Sequence, residues 1–284
     1  MVKEVQPVSA VARTGVLNGK TILVTRPHEQ AVEFMEYLHS HGAHVVVFPT
    51  IRITEPASWN DCDDAIGRID SFDTIIFTSA NAVDFFLQRY SSLNTNSLAG
   101  STSRVFDKKI YAVGMKTQEA IAQFGLFADV IGSHFTGKDL AEALKTKIDR
   151  NAAILFPHGN LGRNELSGSL REFGVTIEEV IVYRTIEPDQ QDIENARAYI
   201  EKNSVDVYTF FSPSSIENLL KIVSREIVAR SIVAVIGTTT TRAAQTAGLP
   251  VHIIPEQSTA KDLALAIVSY FEHLSKEKPY DASE

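Results

Sequence analysis

The sequence predicts an α/β protein made of two similar, doubly wound domains with parallel sheets. Short runs of β-branched residues alternate with segments of helical periodicity, which is the pattern of parallel strands joined by crossover helices. In addition, several segments recur in the same order further along the chain. The 284 residues are enough for two domains of ordinary size.

Most of the recurring segments combine a strand, a turn rich in small hydroxyl residues or glycine, and a helix. The matched pairs are 72–87 with 205–220, 110–131 with 232–254, 135–144 with 258–267 and, more weakly, 22–49 with 154–183. The offset within a pair is far longer than the period of a solenoid repeat. The sequence therefore indicates two copies of one domain.

The β-branched runs are expected to be strands, each followed by a polar turn and, in most cases, by a helix. They are residues 21–25, 44–48, 74–78, 110–113, 128–131, 153–156, 177–183, 205–211, 232–236 and 251–254. Glycines stand where helices should end, at Gly42, Gly125, Gly174 and Gly248. This order of elements predicts flavodoxin-like domains, whose ligands bind beyond the carboxyl ends of the strands.

The chain order indicates that one domain encloses the other. The weakly matched pair appears at the start of the chain and again in its middle, so the chain leaves the first domain and returns to it. Exit near Phe48–Ile53 and return near Ile181–Ile186 would form a two-segment β crossover, with an active-site cleft between the domains. The predicted boundaries are 19–50 plus 186–272 for domain 1 and 54–181 for domain 2, with loose tails at 1–18 and 273–284.

Composition and charge exclude several classes of protein. The formal net charge is −8, from 27 Lys and Arg against 35 Asp and Glu, which argues against a general nucleic-acid binder. Cys62 is the only cysteine, which excludes an internal disulfide and a cysteine-based metal site. No apolar run reaches the roughly 20 residues of a membrane span, and the first residues make a poor signal peptide. We expect a cytoplasmic monomer that binds neither nucleic acid nor membranes.

The turns at the expected carboxyl ends of the strands carry small hydroxyl and basic side chains. They read TRPHE (25–29), FTSAN (77–81), VGMKT (113–117), FPHGN (156–160), FSPSS (211–215) and IGTTTT (236–241). For a single Ser or Thr, helix capping alone is the commoner explanation, and Ser212-Pro213-Ser214 is a good helix start. Together the turns favour an oxygen-rich anionic ligand, because helix N-termini attract anions. The basic candidates, each equally well explained as a solvated surface charge, are Arg26, Lys116, His158, Arg163, Arg184 and Arg242.

Motifs of several other enzyme classes are absent from the sequence. There is no P-loop, no dinucleotide-binding G-x-G-x-x-G, no H-E-x-x-H and no nucleophile elbow. His39, His41 and His44 lie close together, but at an expected helix end before a buried strand, where a metal site is the less favoured interpretation. An enzyme that binds a polyanion without a metal or an organic cofactor fits these observations best.

Several of these motifs resemble the uroporphyrinogen-III synthase family. The motifs are VTRP (24–27), FTSANAV (77–83), AVGMKT (112–117), VYRT (182–185), TFFSPSS (209–215) and IGTTTTRAA (236–244), and the similarity runs from about Gly19 to Phe271. The resemblance implies a lyase of tetrapyrrole biosynthesis, the route to haem, chlorophyll and cobalamin. Such an enzyme cyclises hydroxymethylbilane with loss of water and inversion of the terminal pyrrole ring. The resemblance also implies no cofactor and a transient contact with porphobilinogen deaminase.

The same resemblance implies roles for individual residues. Tyr183 takes the position of the family's proton donor, although an aromatic residue that packs at the crossover is an equally good interpretation. The family positions and the turns together give the substrate-binding candidates Arg26, Ser79, Lys116, Thr117, His158, Ser212, Ser214, Thr239 and Thr240. Thr238 stands where members of the family often have a proline, which leaves open which threonine faces the substrate.

Two other classes of protein remain open on the sequence alone. A non-catalytic two-domain protein that closes on a small anion would use the same turns. A glycosyltransferase or nucleotide-binding enzyme would have a similar double α/β scaffold, but its glycine-rich phosphate loop and ribose-binding acid are absent. An assay with hydroxymethylbilane that resolves the product isomers separates these classes.

Overall fold

The computed structural model describes residues 15–94, 105, 107–132, 137–162 and 165–277, together with the backbone of Lys3–Glu4. Contacts divide the chain into two units. Unit 1 consists of Met1–Arg52 and Ile186–Glu284, and unit 2 consists of Ile53–Thr185. In the described residues, no helix combines the length and the apolar character that a membrane crossing requires.

Strands and helices alternate along both units. The strands are β1 (Lys3–Glu4), β2 (Thr21–Val24), β3 (His44–Val47), β4 (Arg52–Thr54), β5 (Thr74–Phe77), β6 (Lys109–Val113), β7 (Asp129–Ile131), β8 (Ala153–Gly159), β9 (Thr176–Ile186), β10 (Val207–Phe210) and β11 (Ile232–Val235). The helices are α1 (Val32–Ser40), α2 (Asn60–Gly67), α3 (Ala80–Asn94), α4 (Met115–Gln123), α5 (Gly137–Lys145), α6 (Glu165–Phe173), α7 (Gln190–Lys202), α8 (Pro213–Leu220), α9 (Arg225–Ala229), α10 (Thr238–Thr246) and α11 (Ala260–Glu277). The predicted helix-ending glycines are confirmed, because each has a positive φ just after a helix.

Unit 1 is a doubly wound sheet with the spatial order β1–β3–β2–β10–β11. β1 is antiparallel to β3, and the remaining pairs are parallel. Successive residues of β2 face opposite sides of the sheet. Ile22 and Val24 pack in the core with α1 and α11, whereas Leu23 packs in the core with α7 and α8. Burial on both faces explains why these strands are almost continuously apolar.

Unit 2 is built in the same way, with the spatial order β4–β9–β8–β5–β6–β7. The pairs among β5, β6, β7, β8 and β9 are parallel. In β5, Ile75 and Phe77 pack with α2, α3 and α4, and Ile76 packs on the other face with α5 and α6. The prediction of doubly wound α/β domains with parallel sheets is therefore confirmed.

Matching the duplicated segments gives both sheets the same order. β8 and β9 correspond to β2 and β3, while β5 and β6 correspond to β10 and β11. The spatial orders β3–β2–β10–β11 and β9–β8–β5–β6 are then equivalent, and they follow the flavodoxin-like arrangement. In unit 2 the β8–β9 pair comes last along the chain, whereas its equivalent β2–β3 comes first in unit 1. Unit 2 is thus a circular permutation of unit 1, which accounts for the chain order of the weakly matched pair.

An acidic residue in front of β5 and β10 makes the same side-chain contact with a backbone N–H in both copies. The Asp206 carboxylate accepts the Thr21 N–H at 2.8 Å and the Lys20 ammonium at 2.9 Å. The Asp73 carboxylate accepts the Ala153 N–H at 2.8 Å. Thr21 begins β2 and Ala153 begins β8, so each carboxylate joins two neighbouring strands at the amino edge of its sheet.

One predicted strand is wrong. Residues 251–254 form only an isolated parallel bridge, between Ile253 and Ala234. The His252 imidazole accepts the Val233 N–H at 3.0 Å, so a side chain takes the place of a backbone partner there. Pro250 and Pro255 flank the segment and cannot donate ladder hydrogen bonds.

The fold extends beyond both predicted ends of domain 1. Leu17 lies in the expected tail 1–18 but is fully buried in the core, and its N–H donates to the His41 carbonyl at 3.0 Å. At the other end, α11 continues to Glu277, past the predicted boundary at residue 272. The rest of the predicted tails, residues 1–2, 5–14 and 278–284, lies outside the described residues.

Candidate functional site

The predicted site residues form two sets, one at the carboxyl edge of each sheet. The set in unit 2 is Ser79, Lys116, Thr117, His158 and Tyr183. The set in unit 1 is Arg26, Ser212, Ser214, Thr239 and Thr240. Since the strands of a parallel sheet all end at the same edge, the turns of each set lie where such sheets bind ligands.

Tyr183 lies on β9 with its ring held against the neighbouring strand β8. A bulge at His158/Gly159 shifts the register, so that Gly159 pairs with Tyr183. A β-carbon on Gly159 would lie 2.4 Å from the Tyr183 Cζ and 2.8 Å from its hydroxyl oxygen, so only glycine leaves room for this ring. The Phe85 ring of α3 stacks on Tyr183 with the centroids 5.9 Å apart. Both neighbours belong to unit 2, and together they define where the phenol lies.

Ser79 connects this tyrosine to the start of α3. Its Oγ accepts the Ala82 N–H at 3.1 Å, which is the contact of a helix N-cap. The same Oγ lies 3.4 Å from the Tyr183 hydroxyl, a long hydrogen bond in which either oxygen can donate. Of the predicted residues in unit 2, Ser79 and Tyr183 are therefore in contact.

His158 is half-buried and already has partners in unit 2. Its Nδ1–H donates to the Gly159 carbonyl at 2.8 Å, which leaves Nε2 as the second nitrogen, 3.8 Å from the Glu179 carboxylate. The ring stacks on Phe156 with a centroid distance of 5.0 Å. Glu179 also pairs with Arg171 at 2.7 Å. This environment orients His158 more firmly than a solvated surface histidine.

The turn after β6 begins with a residue that must be glycine. Gly114 has φ 78° and ψ 160°, a conformation that other residues rarely adopt. Lys116 is exposed in the first turn of α4. Thr117 is buried, and its hydroxyl donates back to the Val113 carbonyl at 2.8 Å. While that bond lasts, the Thr117 hydroxyl cannot donate to a ligand.

The four threonines after β11 have different environments. Thr238 and Thr239 are exposed in the first turn of α10, whereas Thr240 is buried. The Thr241 hydroxyl donates to the Gly237 carbonyl at 3.0 Å, the same backward bond that Thr117 makes. Two hydroxyl groups of this motif therefore lie exposed at the positive end of a helix, where an anion would be stabilised.

Ser212 acts as the N-cap of α8. Its Oγ accepts the Ser215 N–H at 3.2 Å, and the Ser215 side chain completes the capping box. The Ser214 hydroxyl lies 3.0 Å from the Ser212 hydroxyl and is exposed. The predicted cap at Ser212 is confirmed, and its binding of substrate stays a prediction.

Arg26 follows β2 and is half-buried. Its guanidinium lies over the Phe211 ring, 5.2 Å from the centroid, and its Nε–H donates to Gln30 at 3.1 Å. Burial lowers the pKa of Arg26 below its ordinary value, but an arginine remains charged at neutral pH. The duplication places Arg26 and His158 at equivalent positions, so each copy has a basic side chain stacked on an aromatic ring.

The remaining predicted cations and histidines do not add to these sets. Arg184 and Arg242 are exposed, and Arg163 lies outside the described residues. His39 and His41 bond to the carbonyls of Ala43 and Tyr37, and His44 contacts the Tyr199 hydroxyl. Across the described ranges, no group of three or more His, Cys, Asp or Glu is arranged to hold a metal ion.

Two residues that position a member of the unit 2 set were not predicted from the sequence. Gly159 and Phe85 define the position of the Tyr183 ring, as described above. The sequence places Gly159 in the turn after the predicted strand 153–156, but in the structure β8 continues to Gly159. A glycine inside a strand often marks a bulge or a close approach, so only the longer strand gives Gly159 that meaning. Phe85 carried no signal of its own, since it reads as one more apolar residue on a helix.

Comparisons with known proteins agree on one family. The family model for uroporphyrinogen-III synthase HemD matches residues 32–264. The uroporphyrinogen-III synthase of Chlorobaculum parvum is 30% identical over 249 residues, which cover 87% of this chain and 98% of the relative. That of Synechococcus elongatus is 30% identical over 259 residues, covering 88% and 95%.

Solved structures show the same architecture. A mutant uroporphyrinogen III synthase from Thermus thermophilus has a TM-score of 0.61 at 16% identity, covering 91% of this chain and 100% of its own. The enzyme from Helicobacter pylori has a TM-score of 0.59 at 17% identity, covering 88% and 99%. At these identities the likeness concerns the fold, while the family model and the 30% identical relatives span most of the sequence. The chain belongs to the uroporphyrinogen-III synthase family.

Proposed function

We propose that this protein closes hydroxymethylbilane to uroporphyrinogen III, as a cyclising hydro-lyase. The C–O bond of the hydroxymethyl group breaks, and the leaving oxygen takes a proton and departs as water. The resulting azafulvene is attacked by a ring carbon of the terminal pyrrole to give a spiro intermediate. The bond between the spiro carbon and its original methylene bridge then breaks, and that methylene bonds to the other α-carbon of the terminal ring. This carbon loses its proton as the pyrrole is restored, so the ring is inverted and water is the only net loss. Family membership and the two anion-attracting sheet edges support this proposal.

The observation that carries the mechanism is the position of the Tyr183 phenol. Hydroxide is a poor leaving group, so a positioned acid that protonates it should contribute roughly 100- to 10,000-fold. Tyr183 has a hydroxyl at the carboxyl edge of unit 2, a ring fixed by Gly159 and Phe85, and a hydrogen-bond partner in Ser79. A hinge-packing residue would need the ring but not the hydroxyl, which is how the two roles can be separated.

The acetate and propionate groups of the substrate require donors and positive charge. In unit 1 we assign this role to Arg26, which follows β2, and to the exposed Thr239 at the start of α10, which follows β11. Ser212 and Ser214 follow β10, which lies between β2 and β11 in the sheet, and we assign them the same role. In unit 2 we assign it to Lys116 in the first turn of α4. Thr117, Thr240 and His158 are buried or already partnered, so they support these turns and bind substrate only if those contacts change.

The test is an assay with hydroxymethylbilane that resolves uroporphyrinogen III from isomer I, the product of unaided closure. We expect wild-type protein to give isomer III and Tyr183→Phe to lose roughly ten- to a thousand-fold in turnover, within or just below the usual contribution of a positioned acid. Its thermal midpoint should change little, because the ring is retained. Tyr270→Phe is the matched control, since it removes a phenol from α11 that packs edge-on against Phe271.

The outcomes separate the proposals. A Tyr183→Phe variant with wild-type rate and isomer ratio would show that Tyr183 is a packing residue. Binding of hydroxymethylbilane by wild-type protein without any isomer III would contradict the enzymatic function and favour an anion-binding protein.

A further inference from the structure

The Ser79 hydroxyl stands between the first turn of α3 and the Tyr183 phenol. The Ala82 N–H donates into Ser79 Oγ at 3.1 Å, so one lone pair of that oxygen is occupied by the helix. The Tyr183 hydroxyl oxygen lies 3.4 Å from the same atom. Ser79 is only half-buried, which by itself would allow contact with a substrate as well.

We propose that Ser79 is a positioning residue that acts on the reaction through Tyr183 and does not bind substrate carboxylates. This proposal rests on the proposed role of Tyr183 as proton donor. When Tyr183 gives up its proton, the phenolate oxygen can only accept hydrogen bonds, and Ser79 becomes the donor to it. Ser79 then forms a relay from the Ala82 N–H to the phenolate.

The start of α3 makes this relay favourable for a negative charge. The helix has 15 residues, and its first N–H groups carry the positive end of the helix dipole. Hydrogen bonds arranged in a chain polarise one another, so a serine that accepts from the helix is a stronger donor to the phenolate. The charge that appears as the proton leaves is stabilised by groups that are already in place.

The other copy of the domain contains a natural comparison. Ser212 occupies the equivalent position at the start of α8 and also accepts a backbone N–H, from Ser215 at 3.2 Å. Its hydroxyl contacts the Ser214 hydroxyl at 3.0 Å instead of a tyrosine. Replacement of either serine removes a helix cap, but only the Ser79 replacement removes a partner of Tyr183.

A double-mutant cycle on the full-length protein tests the proposal. Ser79→Ala, Tyr183→Phe and the double variant are assayed for kcat and KM in formation of uroporphyrinogen III. We expect Ser79→Ala to lower kcat roughly ten- to a hundred-fold with KM almost unchanged, the effect of one hydrogen bond to a charged group. In the Tyr183→Phe background the serine replacement should then change kcat by less than about two-fold, because the partner is already gone.

Control variants distinguish this from a loss of folding. Ser79→Thr keeps the hydroxyl and the cap and should restore most of the turnover. Ser212→Ala loses an equivalent cap, so its thermal midpoint should fall as in Ser79→Ala. Its fold-effect on turnover should be the same in the wild-type and in the Tyr183→Phe background, because the partner of the Ser212 hydroxyl is Ser214 and not Tyr183.

Three results would overturn the proposal. A Ser79→Ala effect that multiplies with Tyr183→Phe, or that appears in KM, would show direct binding of substrate by Ser79. An unchanged kcat in Ser79→Ala would show that the contact has no part in the reaction. If Tyr183→Phe is fully active while wild-type protein still makes isomer III, the relay is wrong but the enzymatic function stands.

Discussion

Replacing Asp206 or Asp73 by alanine should destabilise the unit that contains it, and Asp206→Ala should cost more. Each carboxylate accepts the backbone N–H that begins a neighbouring central strand, from Thr21 or from Ala153. A hydrogen bond to a charged group contributes about 1.5–3 kcal/mol, and its loss leaves the amide without that partner. Asp73 is exposed and Asp206 is half-buried, so water replaces the lost partner more readily at Asp73.

The expected magnitudes follow from these contacts. Asp206 also pairs with Lys20, with side-chain exposures of 26% and 37%, and such a pair adds about 0–1 kcal/mol. We therefore expect about 2–3 kcal/mol for Asp206→Ala and about 1–2 kcal/mol for Asp73→Ala. The asparagine variants keep a neutral acceptor and should lose about half as much, because charge-assisted bonds are roughly twice as strong.

Urea unfolding followed by two probes can assign each loss to its unit. Trp59 is the only tryptophan in the sequence and packs against the core of unit 2, so its fluorescence reports unfolding of that unit. Far-ultraviolet circular dichroism reports both units, whose transitions are fitted separately because two domains do not unfold as one two-state system. Asp73→Ala should shift the tryptophan transition to lower urea.

Asp64→Ala is the matched control, since Asp64 is an exposed acid on α2, and its replacement should stay within about 0.5 kcal/mol. Unfolding of both alanine variants at the wild-type midpoint would show that the two carboxylates do not stabilise their units. If the asparagine variants lost as much stability as the alanine variants, the charge of the carboxylates would contribute nothing.

Two further predictions concern unit 2. Gly159→Ala should reduce turnover roughly ten- to a hundred-fold, because its β-carbon would lie 2.4 Å from the Tyr183 ring and displace the phenol; Gly168→Ala, whose β-carbon meets no atom within 4 Å, should keep full activity. Burial raises the pKa of the Asp84 carboxyl, so the folded protein binds this proton more tightly than the unfolded chain does. The stability that this proton contributes is complete below the unfolded pKa and is lost as pH rises through the folded pKa. In thermal unfolding, Asp84→Asn should therefore be more stable than wild type at neutral pH and should lose this advantage in acid. An advantage that grows in acid would show that burial of the charged carboxylate is not the cause.

The sequence predicted those features whose determinants are local. Ser212 followed by Pro213 indicated a helix start, and the structure has a capping box there. Gly42 and Gly174 indicated helix ends, and both have positive φ. The duplication extended this local information, because one strand–turn–helix pattern could be checked against a second copy. The acidic residue of this pattern, Asp73 or Asp206, has the same structural role in both copies, because its carboxylate accepts the first backbone N–H of a neighbouring strand.

Features that depend on register between distant segments could not be predicted. The contact of Tyr183 with Gly159 exists because a bulge at His158 shifts the pairing of β8 and β9, and no periodicity in either strand reports that shift. The failure at residues 251–254 has a similar cause, since the His252 side chain takes a ladder position that only the tertiary structure reveals. Local apolar runs indicate that a strand is possible, but the partner decides whether the ladder forms.

The first turns of α4 and α10 show which positions the duplication has kept and which have diverged. The third residue after the glycine is a buried threonine in both copies, Thr117 and Thr240. The two residues before it are exposed in both copies, yet they differ: Met115 and Lys116 in unit 2, and Thr238 and Thr239 in unit 1. A buried position shared by both copies is explained by packing of the turn, whereas an exposed position at a helix N-terminus is free to contact an anionic ligand. Lys116 and Thr239 are therefore better candidates than the buried threonines for direct contact with the substrate carboxylates.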